Sequence, residues 1–225
     1  MPGDTTKGKI HFFDDFLGDT INLDLYATNA DTGGTAFAIN TQHNGVIRGT
    51  GDGTDNDLTN IYGPAQWRAD AGGPLTFEAR VTLITSLADG EEYIGLSDEA
   101  TDENPMTVSA ADALTSTAAN AVGFCYTGAG TADWKAVATN AGTDGTVTRC
   151  NVGGATTPVV GTWQTFKVVV NVDGDADYYI NGVWHVNKQL AVAPATLLNI
   201  FVCQQDGGTA RSTDIDYWEV WAGRR

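Results

Sequence analysis

The segment VVNVDGDADYYINGVWHV, residues 169–186, contains two strong turn signals between short apolar runs. The Asp-Gly pair at 173–174 and the Asn-Gly pair at 181–182 supply the positive φ angles that two-residue hairpin turns demand. The segment therefore predicts two successive β-hairpins with a firmly set register.

The same pattern of short apolar runs between turn signals continues along the chain. Counting them gives about fourteen strand candidates and almost no segment with helical periodicity. In TFEARVTLITS, Phe77, Val81 and Leu83 alternate with Glu78 and Arg80, so we expect one face of this strand to point into the core and the other to be mostly exposed to solvent. The sequence predicts an all-β fold, a two-sheet antiparallel β-sandwich.

The size of the chain and its even composition favour one domain covering residues 1–225. No Pro- or Ser-rich linker marks a boundary. We expect a flexible or docking N-terminal segment at about residues 1–9. The acidic stretch at about 97–120 is longer than a normal hairpin connection and predicts a functional or packing insertion.

The charge balance excludes several classes of partner. With 28 acidic and 12 basic residues, the formal net charge is −16, which argues against binding to nucleic acid phosphate or to an anionic membrane. The three cysteines are odd in number and irregularly spaced, so no disulfide framework is predicted. No signal peptide, anchor or membrane span is expected either, which favours folding in the cytosol.

The order of the strand candidates resembles the concanavalin A-like lectin/glucanase jelly roll, including its laminin-G-like branch. The segments that carry this resemblance are FFDDFLGDTINLDLY (12–26), GVIRGTG (45–51), LTFEARVTL (75–83), EYIGLSD (92–98), AVGFCYTG (121–128), DWKAVATNAG (133–142), TWQTFKVVVNVDGDADYYING (162–182) and IDYWEVW (215–221). The resemblance covers nearly the whole chain and implies a jelly roll.

A narrower resemblance concerns YIGLSD before the acidic insertion and VGFCY after it. This combination is similar to a branch common among structural proteins of tailed bacteriophages. It implies a non-enzymatic virion protein that is assembled in the host cytoplasm, most simply a capsid decoration or head-surface protein. The implied partners are the major capsid protein or another virion protein, and further copies of this chain in a homo-oligomer.

One group of carboxylates resembles a catalytic set. Asp214, Asp216 and Glu219 are similar to the Glu-x-Asp-x-x-Glu strand of laminarinase-type glucanases, with Asp in place of the first Glu. In a regular strand, positions 214 and 219 face opposite sides, and only a β-bulge would bring both to one cleft. We therefore expect no catalytic residues, and a glucanase-like hydrolase remains an alternative.

Asp173, Asp175 and Asp177 have the spacing that begins an EF-hand loop. The Gly and Glu that such a loop needs at its sixth and twelfth positions are missing, which favours a solvated hairpin. No cofactor is expected, and a structural calcium ion at these aspartates is the alternative.

The six tryptophans include candidates for stacking on a sugar ring, namely Trp67, Trp134 and Trp184. An alternating Trp on a sandwich strand is more often core or interface. A carbohydrate-binding module or adhesin, with a glycan as partner, is the alternative to a virion role.

Basic residues lie near both ends of this acidic chain: Lys7, Lys9, Arg224 and Arg225. They are candidates for docking onto an acidic shell. Ordinary frayed ends are an equally good interpretation.

Overall fold

The computed structural model describes residues 9–40, 45–63, 66–85, 87–154 and 156–223. Its strands, in chain order, are β1 (Lys9–Asp14), β2 (Ala27–Ala30), β3 (Thr35–Asn40), β4 (Val46–Thr50), β5 (Leu58–Tyr62), β6 (Leu75–Leu83), β7 (Glu91–Ser97), β8 (Met106–Val108), β9 (Leu114–Ser116), β10 (Ala121–Thr127), β11 (Lys135–Asn140), β12 (Thr143–Asp144), β13 (Thr148–Arg149), β14 (Gln164–Val170), β15 (Ala176–Ile180), β16 (Val183–Lys188), β17 (Asn199–Gln205) and β18 (Ser212–Gly223). No helix occurs in these ranges, and accordingly none of them holds a helix long and apolar enough to cross a membrane.

The strands form two large antiparallel sheets. Sheet A has the order β16-β15-β14-β6-β18-β4-β3, and β1 also pairs with β18. Sheet B has the order β12-β11-β10-β7-β17-β5-β2, and β13 also pairs with β11. The predicted all-β sandwich is confirmed.

The core lies between the inner faces of the two sheets. Phe77 and Val81 of β6 are at most 1% exposed, as the alternation in this strand predicts. They join one buried cluster with Ile94 of β7, Phe166 of β14 and Trp218 of β18. Burial of these side chains supplies the main driving force for packing the sheets together.

The two predicted hairpin turns differ in length. Asn181 and Gly182 both have positive φ, 51° and 77°, and they connect β15 to β16 as a two-residue turn. The first turn is longer than predicted, because β14 and β15 are paired only as far as Val170 and Ala176. Asn171 and Asp175 close this five-residue loop through a backbone hydrogen bond of 2.8 Å, and Gly174 alone supplies positive φ.

β18 contains a register shift that changes which side chains face outward. Ile215 is opposite Val81 and Tyr217 is opposite Arg80, so Asp216 is the extra residue of a β-bulge. Thr213 and Ile215 face the core before the bulge, and Trp218 and Val220 face it afterwards. Tyr217 and the residues alternating with it therefore lie on the outer face of sheet A.

The acidic insertion covers the outer face of sheet B. Its strands β8 and β9 form a separate two-stranded hairpin. Met106 and Val108 of this hairpin pack on Tyr93, Cys125 and Phe201 of sheet B in a second apolar cluster, in which all five side chains are at most 1% exposed. The insertion thus acts as a third layer over sheet B.

Candidate functional site

The two outer faces of the sandwich differ in what they offer a ligand. The outer face of sheet B is covered around β7, β10 and β17 by the β8–β9 hairpin. The outer face of sheet A carries exposed or half-exposed side chains, which we call the open face. Its members are Lys9, His11 and Phe13 of β1, Tyr217, Glu219 and Trp221 of β18, Glu78 and Arg80 of β6, Lys167 of β14, Asp177 and Tyr179 of β15, and Trp184 and Asn187 of β16.

Strand register places six of these side chains in one row across the sheet. The row is Phe13, Glu219, Glu78, Lys167, Tyr179 and Trp184, each directly opposite the next. Neighbouring strands lie about 4.8 Å apart, so five intervals span roughly 24 Å. The row has an aromatic end at β1, charged residues in the middle and a second aromatic end at β15 and β16.

The aromatic end at β1 is held together by a ring contact and by one hydrogen bond to a carboxylate. Phe13 is 50% exposed and its ring centroid lies 5.8 Å from that of Tyr217. The Tyr217 hydroxyl donates to Glu78 Oε1 at 2.9 Å. Burial, together with this hydrogen bond, raises the pKa of Tyr217 to about 12, so the phenol stays a donor at neutral pH.

Beside this cluster lies an open depression of about 400 Å³, lined by Lys9, His11, Glu219 and Trp221. His11 Nε2 lies 2.9 Å from Glu219 Oε2, and the His11 ring meets Trp221 edge-on at 6.1 Å. Lys167 Nζ lies 5.4 Å from the centroid of Trp221, a cation–π distance. The depression therefore combines one aromatic ring with acceptors and donors at its rim.

The aromatic end at β16 is built around Trp184, which is 47% exposed. Its indole Nε1 donates to Asp177 Oδ1 at 3.0 Å, and Asn187 Nδ2 donates to the same oxygen at 3.1 Å. Tyr179 is directly opposite Trp184 in the register, so two aromatic residues are cross-strand neighbours here. The ring of Trp184 is thus fixed in orientation while much of it remains open to solvent.

The cations in the middle of the open face are committed to carboxylates. Lys167 Nζ lies 3.7 Å from Glu78 Oε2, and Arg80 forms an ion pair with Asp216. Arg80 also lies over the ring of Trp163 at 4.8 Å. These contacts leave the centre of the face polar but locally neutral.

The three carboxylates of the catalytic alternative have different environments and partners. The bulge at Asp216 brings Asp214 and Glu219 to the same outer face. A glycosidase needs two carboxyl groups that both reach the substrate. Asp214 is also fully buried and accepts two hydrogen bonds from Arg48, at 2.5 and 2.7 Å. Asp214 therefore links β18 to β4 through Arg48, and it is not accessible to a substrate.

The three candidate tryptophans have different environments. Trp134 is 1% exposed and donates to Gln164 Oε1 at 2.8 Å, and Trp67 is 8% exposed beside Phe12. Neither offers a free ring face. Of the three, only Trp184 lies on the open face.

The candidate calcium ligands have separate partners. Asp175 Oδ1 accepts from the backbone N–H of Leu190 at 2.8 Å, while Asp177 Oδ1 serves Trp184 and Asn187. The backbone N–H of Asp173 donates to Asn171 Oδ1. Within the described ranges, no group of three His, Cys, Asp or Glu side chains is placed to hold a metal ion. Calcium binding stays a prediction.

Of the candidate docking cations, Lys9 is exposed on β1 at the rim of the depression. Lys7, Arg224 and Arg225 lie outside the described residues. Their role in docking also stays a prediction.

Sequence reasoning missed the residues that meet across strands. Alternation in β6 already placed Glu78 and Arg80 outward, but nothing local indicated that Glu78 lies directly opposite Glu219. Phe13 and His11 were hidden in the apolar run KIHFFDDF, which has no clear alternation. Knowledge of the β1–β18 and β6–β18 pairings was needed to find the row.

Comparison by sequence gives no match. No protein-family model matches the chain, and no curated protein matches it.

Comparison by structure gives matches over nearly the whole chain. The Bacillus licheniformis β-glucanase has a TM-score of 0.64 at 11% identity, with 95% of this chain and 98% of that chain covered. The carbohydrate recognition domain of Emp47p also has a TM-score of 0.64 at 11% identity, covering 98% of this chain and 100% of that chain. The Bacteroides ovatus mixed linkage glucan PUL GH16, in complex with its G4G4G3G product, has a TM-score of 0.62 at 10% identity, covering 93% and 99%. At these identities the likeness shows the fold, which is the concanavalin A-like lectin/glucanase jelly roll.

Proposed function

We propose that this protein is a non-catalytic carbohydrate-binding protein and that its binding site is the open face of sheet A. The observation that carries the proposal is the row of exposed aromatic rings and carboxylates across six adjacent strands. Sugar rings present C–H faces that pack on aromatic rings, and their hydroxyls hydrogen-bond to carboxylate, amide and phenol groups. The open face offers both kinds of contact in one place.

The fold is compatible with this proposal. The solved structures that it resembles include one described as a carbohydrate recognition domain and one in complex with a glucan product. In this chain the outer face of sheet B is covered around β7, β10 and β17 by the β8–β9 hairpin. A glycan can lie on the outer face of sheet A without displacing this hairpin.

Non-catalytic binding is favoured by the state of the carboxylates. Asp214 is buried against Arg48, and Glu219 and Glu78 are engaged by His11, Tyr217 and Lys167. Such contacts suit carboxylates that accept hydrogen bonds from sugar hydroxyls. A proton donor for a leaving group would instead need a protonated carboxyl.

The proposal is tested by binding to a panel of soluble polysaccharides, with affinity electrophoresis followed by calorimetry. Phe13→Ala and Trp221→Ala should each weaken binding about tenfold, since each removes one stacking surface worth about 1.4 kcal/mol. Leu197→Ala is the matched control, because Leu197 is 48% exposed but lies outside the open face. Absence of binding to every glycan, or equal affinities for all three variants and the unmodified protein, would overturn the proposal.

The same preparation tests the absence of catalysis. We expect no release of reducing ends from any glycan that binds. Release that disappears in Glu219→Gln would show that the open face is an active site instead.

A second proposal, a virion decoration role, rests on the sequence resemblance to phage structural proteins. YIGLSD and VGFCY, which carry that resemblance, lie in the paired strands β7 and β10, and the insertion between them contains the β8–β9 hairpin. Co-sedimentation with empty capsids at low and high salt tests it. Saturable binding to shells supports decoration, and its absence removes that reading without affecting glycan binding.

A further inference from the structure

We infer that the open face binds an internal stretch of a linear, uncharged polysaccharide, which crosses the strands of sheet A from Phe13 to Trp184. This inference rests on the proposed glycan-binding function and goes beyond it by naming the ligand class and its path. It excludes two simpler ligands, a single terminal sugar and an anionic polymer.

The first argument is that the row has two aromatic ends. Phe13 and Tyr217 form one end and Trp184 and Tyr179 form the other, about 24 Å away at the spacing of adjacent strands. A mono- or disaccharide can contact only one end. A longer chain contacts both, and its second contact forms at high effective concentration once the first is made.

The second argument concerns the surface between the two ends. Along β14 the outward neighbours of Lys167 are the short side chains of Thr165 and Val169, and along β6 the outward neighbours of Glu78 are Thr76 and Arg80. Arg80 lies against Asp216 on one side of the row, and Trp221 lies beside Lys167 on the other side. Within the row itself, only Glu219, Glu78 and Lys167 stand between the aromatic ends, so a chain that follows the row meets polar groups in the middle and can continue past either end.

The third argument is that the ring of Trp184 is fixed before any ligand arrives. Its N–H is bonded to Asp177, and Asn187 holds the same carboxylate. A ring locked in this way loses little conformational entropy on binding. Because the N–H already has a partner, the exposed surface that remains for a ligand is the ring itself.

The fourth argument is electrostatic. Lys167 and Arg80 in the middle of the face are paired with Glu78 and Asp216, so they are not free to bind sulfate or carboxylate groups of a sugar. The net charge of −16 repels a polyanion further.

The test is a calorimetric length series, from two to about eight sugars, of an uncharged glycan that the protein binds. Affinity should rise with length until the oligosaccharide spans the row and then level off. Trp184→Ala should weaken binding of the longest oligosaccharide about tenfold. For a disaccharide the same variant should change the affinity by at most about twofold, because the other end still binds it.

Three controls keep the outcome clear. Trp184→Phe keeps a ring and should retain most of the affinity for the long chain. Leu197→Ala, with the same exposure as Trp184 but away from the row, should have no effect. Thermal melts of each variant verify that the fold is unchanged.

The outcomes distinguish this inference from the proposed function. Affinity that does not depend on length, or long-chain binding insensitive to Trp184→Ala, overturns the two-ended path and leaves glycan binding intact. Tighter binding of a uronic-acid or amino-sugar polymer overturns the assignment of an uncharged ligand. Binding to no glycan at all overturns the proposed function as well.

Discussion

Replacing Arg48 by Met should destabilise the protein strongly although its side chain is not part of the apolar core between the sheets. Asp214 is fully buried on β18, directly opposite Arg48 on β4, and accepts two hydrogen bonds from its guanidinium. The Arg48→Met substitution leaves a buried carboxylate without its cation. Removing one partner of a buried ion pair lowers the free energy of unfolding by about 3–5 kcal/mol.

The structure places the expected loss at the lower end of that range. The Arg48 side chain is 31% exposed, so water can partly replace the guanidinium. We therefore expect a loss of about 3 kcal/mol in the free energy of unfolding. With a urea m-value of about 3 kcal/mol/M, the midpoint should fall by about 1 M.

The assay is urea unfolding at pH 7, followed by tryptophan fluorescence. Arg68→Met is the matched control, because Arg68 makes a similar two-point contact with Asp70 but is 40% exposed, and such surface pairs contribute about 0–1 kcal/mol. The double variant Arg48→Met with Asp214→Asn should recover part of the stability, since no buried charge remains. A loss below about 1 kcal/mol in Arg48→Met, or no recovery in the double variant, would refute the structural role of Asp214.

Three further outcomes are expected. Burial raises the pKa of Glu92 to about 8, so the folded protein binds more protons than the unfolded chain between about pH 4.5 and 8, and the free energy of unfolding should fall as pH rises through this window. In urea titrations at several pH values, Glu92→Gln should flatten that slope, and an unchanged slope would contradict the burial effect. Met106→Ala should lower the free energy of unfolding by about 2–4 kcal/mol. It should also speed the reaction of Cys125 and Cys203 with a thiol reagent, because the hairpin then covers them less tightly, and unchanged thiol rates would argue against the third layer. Gly182→Ala should cost about 1 kcal/mol in thermal unfolding through its backbone conformation alone, since φ is 77° and a Cβ would meet nothing within 4 Å; a neutral result would show that the turn adapts.

Local patterns predicted much of the fold. Alternation placed Phe77 inside and Glu78 outside, and Asn181-Gly182 set the turn between β15 and β16 because each rule depends on neighbouring residues alone. The Asp173-Gly174 turn was predicted too short, since Asn171 bonds to the loop from outside the dipeptide that was considered. The sequence indicated that a β-bulge would be needed to bring positions 214 and 219 to one face, but it did not indicate which residue of the strand would be the extra one.

The candidate site was harder to predict because it depends on contacts distant in sequence. Trp184 was singled out, but Trp67 and Trp134 have equally suggestive sequence neighbours and lie buried. Burial of a Trp on a strand is decided by which face meets the other sheet. Similarly, the meeting of Phe13 with Tyr217 joins residues about two hundred positions apart, and no local rule could have indicated it.

The bulge at Asp216 sets which side chains of the last strand face the core. Before this residue the odd-numbered side chains face the core, and after it the even-numbered ones do. If β18 continued in regular alternation through Asp216, without the bulge, Tyr217, Glu219 and Trp221 would point inward and their apolar neighbours outward. A backbone irregularity at one position, invisible to any comparison of composition, thus determines which side chains in the second half of the strand reach the outer surface.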